Sequence, residues 1–163
     1  AAQINIVIKD MELFYVDVDI TFEELLHQIG ERLSPYSDQS QIIQEDLMRR
    51  EQVSSQIFAE FGFALLHTRT KGVTRPVFAV CMPEENVAFK DSYFKQITVA
   101  FVMLVPDDEL VKINNDIMGH ISSMLIEEPE FMEVAEQGDK EQIRTLLSKH
   151  LKQYFRKYLS GLS

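Results

Sequence analysis

The residues best suited to chemistry lie in one stretch, Arg49 to Arg69, which reads RREQVSSQIFAEFGFALLHTR. His67 follows the apolar run Phe61-Gly62-Phe63-Ala64-Leu65-Leu66 and precedes Thr68-Arg69-Thr70. A histidine at the C-terminal end of a buried strand, where the chain turns into a polar loop, is held rigidly yet open to a partner. Arg69 lies two residues beyond it, and Arg50 returns beside it if the helix carrying it ends against the strand. Guanidinium groups near an imidazole oppose its protonation and keep a nitrogen lone pair available near neutral pH. The same groups bind an incoming phosphoryl group through charge-assisted, often bidentate, hydrogen bonds. In-line phosphoryl transfer needs mostly positioning and charge stabilisation. A neutral imidazole with two arginines meets that need without a cofactor.

Other chemistries find less support. The four histidines, His27, His67, His120 and His150, have no i, i+4 spacing and no cysteine partner, so no metal site is expected. No Gly-x-Ser-x-Gly elbow marks a hydrolase. The six glycines are scattered, which argues against a phosphate cradle and a nucleotide cofactor. Cys81, the single cysteine, sits inside Val77-Phe78-Ala79-Val80-Cys81-Met82 and reads as a small buried hydrophobe.

The elements that must position His67 follow from patterning. Ile4–Ile8 alternates weakly and predicts an edge strand or extended lead-in, and Leu13–Val16 a strand. Thr21-Phe22-Glu23-Glu24 is a capping box opening a helix whose apolar face is Phe22, Leu25, Leu26, Ile29 and Leu33. His27 falls off that face and reads as solvated. A second helix is expected over about Ser40–Val53, ending in Arg49-Arg50, where cations also suit the helix dipole. The strand Phe61–Leu66, a loop His67–Pro76, the strand Val77–Met82 and a turn Pro83–Asn86 follow. Ile97–Val105, the most continuous apolar run, predicts a central strand. A helix over roughly Glu109–Ile126 is expected to bury Leu110, Ile113, Ile117, Ile121 and Met124, with His120 near the edge of that face. A short helix, Glu130–Glu136, ends at Gly138, and a closing helix runs from Lys140 to about Tyr158 with His150 in its apolar stripe. Interleaved strands and helices predict an α/β fold, with a mixed sheet of about five strands flanked by helices on both faces.

Composition sets outer bounds. At 163 residues, 45% hydrophobic and 26% charged, a single domain over 1–163 with its own core is expected. The net charge of −10 argues against direct contact with nucleic acid, whose phosphates attract lysine and arginine stripes. A basic protein partner is steered favourably. The apolar runs are strand-sized, so no membrane span is expected, and one cysteine suits a reducing, cytoplasmic setting. A start at Ala1-Ala2 suggests a piece excised from a larger protein.

The residues around His67 also resemble a known family. Arg50-Glu51, Ser54-Ser55 and Gly62-Phe63-Ala64-Leu65-Leu66-His67 are similar to the phosphorylation region of enzyme IIA domains of the mannitol/fructose class in the bacterial sugar phosphotransferase system. That family carries an Arg-Glu pair, a Gly/Ser/Thr-rich link and a Gly-x-Ala-Ile-Pro-His sequence. The resemblance extends loosely from Leu13 onward. It implies that His67 accepts a phosphoryl group from the phosphocarrier protein HPr, with Arg50 steadying it; Arg69, from its place beside the histidine, and Glu51, from the Arg-Glu pair, are the further candidate site residues. Such a domain is a phosphohistidine acceptor rather than a small-molecule enzyme, and it uses no cofactor. Three departures stand out. Leu66 replaces the usual proline, the link from Arg50 to His67 is one residue longer and has Phe58, Glu60 and Phe61 in place of the family's glycines, and no second histidine occurs near Glu109 or Leu110. These departures look like the IIA-like module closing sugar-operon regulators of the mannitol-activator and antiterminator-like type. The resemblance therefore implies a regulatory phosphoacceptor acting on neighbouring domains. The alternatives are a transport phosphocarrier that passes phosphate to a IIB domain, and an unphosphorylated interaction module on the same fold.

Overall fold

The computed structural model describes residues 2–85, 87–109 and 111–161. The chain order is α1 (Ala2–Lys9), β1 (Glu12–Val16), α2 (Phe22–Leu33), α3 (Ser40–Val53), β2 (Ile57–Phe58), β3 (Phe63–Thr70), β4 (Val77–Pro83), β5 (Val99–Pro106), α4 (Val111–Glu127), α5 (Pro129–Gln137) and α6 (Lys140–Gly161). The five strands form one sheet in the order β1-β4-β5-β3-β2. β1–β4 and β3–β5 are parallel, whereas β4–β5 and β2–β3 are antiparallel. This is the mixed α/β sheet expected from the sequence.

Strand alternation splits the core in two. Phe63, Leu65, Phe78, Val80, Phe101 and Met103 face a cluster completed by α1, α4, α5 and α6. Ala64, Leu66, Ala79, Cys81, Val102 and Leu104 face a cluster completed by α2 and α3. β5 is central, and all eight of its residues are buried, as its unbroken apolar run requires. Full burial of one such side chain contributes about 1.5–3 kcal/mol. On α2, Thr21 accepts from the Glu24 amide while the Glu24 carboxylate accepts from the Thr21 amide, so the capping box forms as read.

Two expectations fail. Ile4–Ile8 is part of helix α1, not an edge strand. Ile4 and Val7 are its buried positions, a spacing of three that suits a helix. Five apolar-rich residues do not separate the two periods, and α6 decides, with Arg144 Nε donating to the Ile8 carbonyl at 3.2 Å. On α4, Ile113 is exposed, because Asn114 takes the inward position and donates to the Pro106 carbonyl at 3.1 Å. Leu110 lies outside the described residues, as does Asn86 of the expected turn.

Candidate functional site

The site is built where the last turn of α3 meets the outer side of β3. Ile43, Leu47 and Glu51 are the buried positions of α3. The loop after β3 presses on this helix: a Cβ at Gly72 would stand 2.5 Å from Ile43 Cγ1, so only glycine fits there. Arg50 Nη1 donates to the Ser54 carbonyl at 2.9 Å, which satisfies a free carbonyl beyond the helix end and fixes the guanidinium there. Arg49 pairs with Asp46 at 2.6 Å and is exposed.

Beneath the arginines, Glu51 is only 5% exposed. Its carboxylate accepts from the Gln56 amide at 2.8 Å, the Ser55 hydroxyl at 2.7 Å and the Tyr93 hydroxyl at 2.6 Å. Three donors compensate the removal of this carboxylate from water. Loss of solvent around the Tyr93 hydroxyl, together with its bond to Glu51, pushes the Tyr93 pKa up to about 12.

Glu51 thereby places Gln56, and Gln56 places His67. β2 pairs with β3 only at Ile57↔Ala64 and Phe58↔Phe63. The Leu65 amide donates to the Gln56 carbonyl at 3.0 Å, after which, among the described residues, no strand pairs with β3 on the side away from β5. The Gln56 side chain continues the ladder instead. Its Oε1 accepts from the His67 amide at 3.2 Å, and its Nε2 donates to the His67 carbonyl at 3.1 Å. These two bonds fix the orientation of the amide. Gln56 Nε2 then lies 2.7 Å from His67 Nδ1, and the Leu65 carbonyl lies 3.2 Å from the same nitrogen. Nδ1 is thus the nitrogen tied to the protein, whereas Nε2 has only a 3.4 Å approach from the same amide.

His67 has a pKa below the ordinary imidazole value. Burial is the main cause, since it disfavours the charged ring. The bond to the Leu65 carbonyl opposes the shift, the Arg50 charge adds to it, and Glu51 opposes it. The ring stays neutral at physiological pH. It lines a cleft of about 640 Å³ together with Arg50, Arg69, Lys71 and Met118. Four cations border this cleft (Arg49, Arg50, Arg69 and Lys71) against the carboxylates of Asp46 and Asp107. The arrangement can receive a dianionic group beside a neutral imidazole.

The structure brings His67, Arg50 and Arg69 to one cleft, and three details differ from the sequence reading. His67 does not end its strand, because pairing with β5 continues from His67↔Met103 to Thr70↔Pro106. The main cause of its lowered pKa is burial rather than the arginines. Glu51 does not line the cleft but lies behind it as the support of Gln56 and Tyr93. Gln56 and Tyr93 escaped sequence reasoning altogether. The two-residue β2 ahead of β3 is too short to show as periodicity, and Tyr93 joins Glu51 across 42 positions. Among the described residues the cleft holds no second histidine, and no group of three or more His, Cys, Asp or Glu residues is placed to hold a metal ion.

Residues 8–150 match the family model for the phosphoenolpyruvate-dependent sugar phosphotransferase system, EIIA 2. The chain belongs to that family. Its fold is similar to the nitrogen regulatory protein IIA-Ntr from Neisseria meningitidis, with a TM-score of 0.63 at 20% identity, covering 87% of this chain and 99% of that one. Comparison with curated proteins gives no match. No helix among the described residues of this IIA domain is long and apolar enough to cross a membrane.

Proposed function

We propose that this chain is a phosphoacceptor regulatory domain, phosphorylated on His67 by HPr, within a cytoplasmic sugar-operon regulator of the mannitol/fructose class. In this reading residues 1–163 form one IIA-like domain of a larger protein. The observation that supports it best is a neutral imidazole, held at Nδ1, beside two arginines in an open cleft. For Nε2 to attack, the ring proton must move to Nδ1, where the Leu65 carbonyl 3.2 Å away accepts it, and the Gln56 amide hydrogen that meets Nδ1 at 2.7 Å must turn aside. The bond from phosphorus to the donor breaks as the bond to Nε2 forms, and the electron pair returns to the donor. Arg50 and Arg69 compensate the charge of the passing phosphoryl group, and no metal or cofactor takes part. The product places nearly two negative charges beside four cations, which changes what this end of the domain attracts. A cleft without a second histidine among the described residues favours retention of the phosphoryl group over relay to a IIB domain.

Incubation with phosphoenolpyruvate, enzyme I and HPr, followed by intact-mass measurement, tests the proposal. One acid-labile phosphoryl group in wild type and none in His67→Ala is the expected result. Rapid loss of that group to an added IIB domain assigns transport instead. No added mass in wild type leaves an interaction module on the same fold.

A further inference from the structure

A second cleft opens at the same end of the sheet, on the other side of the loop joining β3 to β4. Lys71 of that loop borders the His67 cleft, and Val73, Thr74 and Arg75 border the second. Its volume is about 380 Å³, within the range of about 300–1,000 Å³ usual for small-molecule sites. The floor is apolar, made by Met11, Leu33 and Val73, each buried. The rim carries Lys9, Arg32, Arg75 and Lys140, from four different elements, against two carboxylates, Asp10 and Glu12. In a chain of net charge −10, this gathers an excess of two positive charges around one small cavity.

Ordinary helix electrostatics explains only part of that gathering. Lys9 ends α1 and Arg32 lies in the last turn of α2, where cations suit the dipole. Lys140 is the first residue of α6, where the dipole opposes a cation. Arg75 pairs with Asp10 at 3.4 Å, and Arg32 lies 5.3 Å from the Phe14 ring centroid. Lys9 and Lys140 form no ion pair among the described residues. Two unpaired ammonium groups over an apolar floor are the complement of a ligand with a phosphate end and a ring body.

We propose that this cleft binds a small organic phosphate of at least two negative charges, with Lys9 and Lys140 holding the phosphates and Met11, Leu33 and Val73 receiving the ring. The site is separate from the chemistry assigned to His67 and stands whether or not His67 is phosphorylated. Titration of the unphosphorylated protein with ADP and with pyrophosphate, followed by amide NMR, tests it. Saturable shifts centred on Met11, Val73 and Thr74 are expected, with ADP bound several-fold more tightly than pyrophosphate. Lys140→Gln removes a cation from an unfavourable helix position, so folding is preserved while affinity falls about tenfold, the scale of one charge-assisted hydrogen bond. Lys149→Gln, an equally simple charge loss on the same helix but outside the cleft, leaves affinity unchanged. Absence of saturation, shifts confined to the His67 cleft, or equal weakening by the two lysine variants would overturn the proposal. Equal affinity for ADP and pyrophosphate would remove the ring from it.

Discussion

β5 and β3 are hydrogen-bonded neighbours built on opposite plans. β5 has a strand on each side, eight buried residues and no polar side chain, so its place is fixed chiefly by apolar area and ladder bonds. β3 is covered on one side by β5, but past Ala64 its other side has lost its partner strand. There the side-chain amide of Gln56 replaces the missing backbone, and the Glu51 carboxylate holds Gln56 in place by accepting from its backbone amide. The comparison shows where this fold can hold a polar ring in a fixed pose beside open space. A strand center leaves no room for an exposed imidazole, whereas an edge closed by side chains leaves the ring both pinned and reachable.

The contrast can be broken from either side. Phe101 of β5 is fully buried against Phe63, Phe78 and Phe131. Phe101→Ala should cost about 3–5 kcal/mol in urea unfolding, while the His67 ring in the molecules that remain folded keeps its pKa. Glu51→Ala orphans the Gln56 amide and the Tyr93 hydroxyl and should cost about 1–3 kcal/mol. Unlike the core variant, it should also return the Tyr93 pKa from about 12 toward the ordinary tyrosine value, read from its ultraviolet titration. Gln56→Ala should cost about 1 kcal/mol or a little more. Its sharper signature is local, since exchange of the His67 amide hydrogen should accelerate while that of Met103 on β5 does not.

The smallest effect is that of pH. The His67 pKa is lowered in the folded state, so between that value and the unfolded value near 6.5 the unfolded chain binds the extra proton. Stability from this group is complete above about pH 6.5 and declines as pH falls toward the folded pKa. Comparison of wild type with His67→Gln across pH 5 to 7.5 should show a steeper acid-side decline in wild type.

How much of this was legible beforehand follows the same division. The eight-residue apolar run of β5, the Thr21 capping box and the Gly138 helix end each declare themselves within a few neighbouring residues. So did His67, Arg50 and Arg69, because residue type and a short separation were enough to gather them. The polar support was not legible, since nothing in the string marks Gln56 as a substitute strand or brings Tyr93 to Glu51. Helix α1 was misread for a related reason. Its identity is decided by packing on α6, more than 130 positions away, where Arg144 reaches the Ile8 carbonyl.

The central claim is that Nδ1 of His67 is tied to the protein so that Nε2 is the nitrogen that reacts. Nitrogen NMR of the histidine rings, before and after phosphorylation by HPr, tests this most directly. The expected spectrum shows a neutral His67 ring below pH 6.5 in the free protein and a phosphorus-coupled Nε2 afterwards, with His27, His120 and His150 unchanged. A phosphoryl group on Nδ1, or on any other histidine, would contradict it.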